Sequence, residues 1–215
     1  MKIWAFLAAL FVGLAPADAA DFGSAKDIDA RDRGFIAASE APFIGLGVGA
    51  SLGGHFASID IADEFDGISA DGITYDAHAE WLFGYSSTSW RFGPYAEIGG
   101  STVNTELSDR DVLALDHFYG VGAKFGLVFN QTLVSVHAGY EWQQWGSDLV
   151  DIDVDTGWWN VGAGIETLVA KNFSVGLKAS YLILNDAEGD EVGDITDLID
   201  ESEALRIQLR ATFRQ

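Results

Sequence analysis

Ile73-Thr74-Tyr75-Asp76-Ala77-His78-Ala79-Glu80-Trp81-Leu82-Phe83-Gly84-Tyr85 carries the pattern on which the architecture rests. Successive side chains of a β-strand point to opposite faces. The odd positions then carry Ile73, Tyr75, Ala77, Ala79, Trp81, Phe83 and Tyr85, and the even ones include Thr74, Asp76, His78, Glu80 and Gly84. One face is apolar and the other charged. The alternation recurs eight times along the chain, so the expected fold is all-β, an eight-stranded antiparallel up-and-down transmembrane barrel.

The eight expected strands are 43–56, 73–85, 90–101, 115–129, 133–144, 158–168, 173–183 and 204–213. Most reach the ~9–11 residues that a tilted strand needs to cross hydrocarbon. Three links are tight, at 86–89, 130–132 and 170–172, and four are long and polar, at 57–72, 103–114, 145–157 and 185–203. Short turns on one side and long loops on the other is the layout of membrane barrels. A soluble sandwich would also alternate. It would have to bury dozens of apolar side chains behind a solvent face rich in glycine, which weakens strands.

The beginning of the chain reads as an export signal. Lys2 precedes an apolar run from Ile3 to Leu14, and Ala17-Asp18-Ala19 fits a small-x-small cleavage site. This divides the chain into a signal peptide at 1–19, a lead segment at 20–42 and a barrel at 43–215. The run is too short for a membrane helix, so a membrane crossing elsewhere must use strands. Cysteine is absent, and no disulfide holds the fold.

Charge is sorted by position. Within the strands the acids are Asp76, Glu80, Glu97, Asp116, Glu141 and Glu166, and the bases are Arg91, Lys124, Lys178, Arg206 and Arg210. All lie opposite the apolar stripe, together with His78 and His137. A charge on the lipid side near mid-bilayer would cost ~2–4 kcal/mol, less for an acid. Near-balance of signs in a narrow interior predicts a charge network with a structural or gating role. The excess acid is elsewhere: the four long links hold 21 Asp and Glu against Arg110 alone. Such loops disfavour nucleic acid and other anionic ligands. Trp81, Tyr85, Trp90 and Phe92 mark one aromatic girdle, and Tyr119, Tyr140, Trp142 and Trp159 the other.

No catalytic constellation is expected. His117 faces outward, and Ser101 or Ser108 approaches it only through loop folding. Asp151-Ile152-Asp153-Val154-Asp155 imitates the start of a calcium loop. It has Thr156 where that loop needs glycine and Gly162 where it needs glutamate. Neither a metal nor a cofactor is expected.

With these features the chain resembles the OmpA/OmpX and opacity-protein superfamily of eight-stranded outer-membrane barrels, and within it the small porin-like surface proteins. The likeness runs from Phe43 to the end. Its last strand, Leu205-Arg206-Ile207-Gln208-Leu209-Arg210-Ala211-Thr212-Phe213, resembles the signal read by the barrel-insertion machinery. That signal usually ends on its aromatic residue, whereas here Arg214 and Gln215 follow Phe213. The resemblance implies residence in the outer membrane of a Gram-negative bacterium, among outer-membrane lipids and lipopolysaccharide. An eight-stranded barrel is only wide enough for side chains to fill. The expected role is therefore structural and surface-interacting, with the loops offered to an extracellular ligand. A narrow ion-conducting channel and a lipid A-modifying enzyme are the alternatives.

Overall fold

A computed structural model of the protein describes residues 42–59, 68–85, 87–107, 110–147, 152–189 and 202–215. The expected signal peptide, the lead up to residue 41 and part of the acidic loops lie outside them. The elements are β1 (Gly45–Ile59), β2 (Ile68–Leu82), β3 (Trp90–Ser101), β4 (Asn104–Leu107), β5 (Arg110–Phe129), β6 (Thr132–Ser147), β7 (Ile152–Ala170), β8 (Phe173–Gly189) and β9 (Glu203–Arg214). β4 continues β3, because both pair with β2 on one side and β5 on the other. They form one barrel strand, so the wall has eight. Neighbours are antiparallel throughout, and β1 pairs with both β2 and β9. Closure removes every edge that lipid would leave unbonded.

The outward face is apolar. From Leu46 to Phe56, Tyr119 to Phe129 and Trp159 to Val169 the chain advances about ten residues between exposed apolar side chains, roughly 33 Å along a strand. Tilted as barrel strands are, this spans a band about 25 Å tall. Among the described residues no Lys or Arg points outward within it, and the acid that does, Asp71, is exposed at its loop-side edge opposite Phe56. Phe83 and Phe92 form an isolated bridge below the point where the β2–β3 ladder ends at Glu80 and Tyr95. Pro94 has no N–H to donate there, which accounts for the gap and for β2 stopping at Leu82 rather than at Tyr85.

The strands rise higher than periodicity predicts. Links expected at 103–114 and 145–157 are largely strand, since β4 pairs with the start of β5 and β6 pairs with β7 as far as Ser147 and Ile152. Asp116 is a second correction. A bulge between Leu115 and His117 makes it the extra residue, opposite no partner on β6. It is exposed, while Leu115 turns inward and is buried. A bulge reverses parity, and nothing in the local sequence announces it. Phe43 is a third: it precedes β1 with φ of 66° and its side chain is buried.

Inside, an apolar cluster lies toward each end. Ala57, Ala70, Val103, Leu115, Trp145, Trp158, Leu182 and Ala204 form a cap toward the long loops. Phe43, Leu82, Leu133 and Leu168 form a floor toward the short turns. The polar residues lie between them. Their bulk is accommodated by glycine: a β-carbon on Gly122 or Gly139, which pair across β5 and β6, would come within 2.6 Å of the Tyr95 side chain.

Candidate functional site

The polar layer is built from every strand of the wall. Inward positions of β2 supply Asp76, His78 and Glu80, those of β3 supply Arg91, Tyr95 and Glu97, and β5 supplies Lys124. β6 adds His137 and Glu141, β7 adds Asn160 and Glu166, β8 adds Lys178, and β9 adds Arg206, Arg210 and Arg214. On β1 the inward Ser51 takes part as an uncharged donor. A charge buried this deeply needs a partner, and a narrow tube brings partners from across its bore.

Just below the cap, Arg206 meets Glu141 through two bonds, at 2.9 and 2.6 Å. This fork-to-carboxylate geometry is the strongest that the two groups can form. Gln143 donates to the same carboxylate at 2.8 Å and Asn160 at 3.3 Å. The Arg206 guanidinium also lies 4.2 Å from the centre of the Phe118 ring. Trp145 of the cap donates to Gln143 at 3.2 Å, and Trp158 donates to Thr156 at 2.8 Å. The indoles thus bury their rings in the cap and still satisfy their N–H groups.

At mid-height Lys178 donates to Glu97 at 2.5 Å and stands 5.5 Å over the Tyr95 ring. His137 bonds to Ser180 at 3.1 Å. Asp76 accepts from Gln208 at 2.6 Å and from Ser51 at 3.0 Å, and His78 joins it at 3.3 Å while reaching Thr212 at 3.1 Å. Asp76 therefore has no lysine or arginine in contact with it among the described residues.

Above the floor, Lys124 donates to Glu80 at 2.8 Å and to Glu166 at 3.3 Å. Arg214 joins the same two carboxylates, bonding Glu80 at 2.5 Å and also Glu166. Ser174 donates to Glu166 as well. Arg210 stands 3.7 Å from Glu80. Arg91 is apart from the network: it donates to the carbonyls of Pro42 at 2.8 Å, Thr88 at 2.8 Å and Trp90 at 2.7 Å. Its role there is to tie the entry of the chain to the β2–β3 turn.

Three features go beyond the residues expected from alternation. Arg214 continues the inward series Arg206, Gln208, Arg210 and Thr212, so its parity carried the signal. The apolar clusters also sit at inward parity, with Leu82, Leu133 and Leu168 near strand ends and Trp158 and Leu182 at the ends of the spans expected from alternation. His55 is inward and buried beside its β9 partner Arg206.

The girdle residues occupy both rims. Trp81, Phe83, Phe92, Trp90 and Tyr85 form a chain of ring contacts at the turn side, with neighbouring centroids 5.5–6.2 Å apart. Tyr119, Trp142, Tyr140 and Trp159 form another at the loop side, at 4.9–5.2 Å. Asn185 bridges the second chain, accepting from Trp159 at 3.0 Å and donating to Tyr140 at 3.3 Å. Phe213 is outward at the turn side and exposed. His117 is exposed above the loop-side rim, and no cluster of three or more metal-ligating side chains occurs among the described residues.

No protein-family model matches the sequence, and no curated protein matches it. Solved structures are similar in fold. Neisserial surface protein A superposes with a TM-score of 0.53 at 14% identity, over 80% of this chain and 97% of that one. The outer membrane protein OprG of Pseudomonas aeruginosa gives 0.47 at 9% identity, over 82% and 99%. Ail, the attachment invasion locus protein of Yersinia pestis, gives 0.45 at 16% identity, over 80% and 100%. With its closed wall, apolar outer band and filled interior, the chain has the fold of an eight-stranded outer-membrane β-barrel.

Proposed function

We propose that this protein is a non-conducting anchor in the outer membrane of a Gram-negative bacterium, holding acidic loops at the cell surface for interaction with an extracellular partner. The observation that carries this reading is the lumen: ion-paired through its middle and stoppered by an apolar cluster at each end. A water-filled pore needs a continuous polar path. Here Trp145, Trp158 and Leu182 stand across one end and Phe43 and Leu133 across the other. The ionisable groups of the layer are held by one another, which supports a structural rather than a catalytic use. The girdles support contact with lipid headgroups on both sides, including lipopolysaccharide on the outer one. The export signal and the final strand with Phe213 support delivery through the barrel-insertion machinery.

Recording from purified protein in a planar bilayer tests the central claim. The expected record is flat, and large stable conductance steps would overturn it in favour of a porin-like channel. Heat-modifiable gel mobility together with membrane fractionation tests the location. Release of fatty acid or acyl transfer on lipid A would establish an enzyme instead.

A further inference from the structure

The distribution of partners inside the barrel is uneven, and the unevenness has a place. The four interior glutamates each have a cation in contact: Glu141 has Arg206, Glu97 has Lys178, and Glu80 and Glu166 share Lys124 and Arg214. Arg210 is left over. Its one carboxylate, Glu80 at 3.7 Å, is beyond hydrogen-bonding distance and already holds two other cations. The Arg210 side chain is 9% exposed, and its Nε and Nη2 atoms have no acceptor among the described residues.

Beside it lies a cavity of about 10 Å³ lined by Tyr95, Lys124, His137, Glu166, Lys178 and Arg210 among others. That is room for one particle of about the size of a water molecule. Three of these residues are cations, and the one carboxylate, Glu166, is already engaged by Lys124, Arg214 and Ser174. The lining offers donors, so its occupant must accept. An uncompensated charge at such depth is strongly destabilising.

We propose that this cavity binds a single monovalent anion of halide size, held by the guanidinium of Arg210 and the ammonium ends of Lys124 and Lys178. One such ion supplies the acceptor that Arg210 lacks. The flexible lysine ends give way by the small amount that separates a halide from a water molecule. The site is independent of whatever the loops bind at the surface.

Bromide is the probe. In crystals of the full protein grown with sodium bromide, an anomalous peak is expected within hydrogen-bonding distance of the Arg210 guanidinium. In detergent, the unfolding midpoint in bromide should exceed that in gluconate at equal ionic strength by several degrees, approach saturation, and lose this dependence in Arg210→Gln. A cavity occupied by a water oxygen, bromide at surface positions alone, or equal midpoints in the two salts would overturn the proposal. The crystal result rests on the unaltered chain, so it stands even where Arg210→Gln does not fold.

Discussion

The polar layer and the apolar clusters occupy the same inward face of the same strands, yet they are held together in different ways. A cap residue such as Leu182 needs volume around it, and any apolar neighbour of suitable size supplies that. A residue of the layer such as Glu141 needs one particular atom at one distance, and that atom is on Arg206, 65 residues further along the chain. The clusters are therefore tolerant and the layer exacting. This division also places the ion pairs between the two apolar clusters.

The severest challenge to this contrast is Glu141→Ala, which strands the Arg206 charge and should cost about 3–5 kcal/mol in urea unfolding from lipid vesicles. The double variant Glu141→Met with Arg206→Met isolates the pairing, and is expected to recover most of that loss. A double variant no more stable than Glu141→Ala would show that the layer does not work by pairing. Next comes Leu182→Ala in the cap, expected to lose about 2–4 kcal/mol through lost contact and cavity, whereas Leu182→Met should cost less than about 1.5 kcal/mol. The mildest change is expected at Asp116. As a lumen charge it would matter; placed outside by the bulge, Asp116→Asn should change stability by less than about 0.5 kcal/mol. A loss comparable to that of Glu141→Ala would put its side chain back inside.

The strand from Ile73 shows how much of the interior was legible along the chain. Asp76, His78 and Glu80 point inward as their alternation requires, and Tyr75 and Trp81 point out. Alternation does not reveal that Asp76 is met by Ser51, His78 and Gln208 while Glu80 gathers three cations. The two carboxylates look alike in the sequence, on one face of one strand. Arg214 was legible by parity but obscured by its position after the aromatic residue of the expected assembly signal. The inward apolar residues of the cap and floor share that parity too, and they break the equation of inward with polar.

The class of structure follows from the amino-acid sequence alone: eight strands, one face for lipid, one for the interior, and acid concentrated toward the loops. It follows because lipid acts on each side chain singly, and a period of two records that selection residue by residue. The pairings, the bulge that expelled Asp116, the two apolar clusters and the arginine left without a hydrogen-bonded carboxylate emerge only once the wall is closed. Those depend on strand register and on distances across the bore, between residues as far apart in the chain as Glu80 and Arg214. Local periodicity carries no information about such distances.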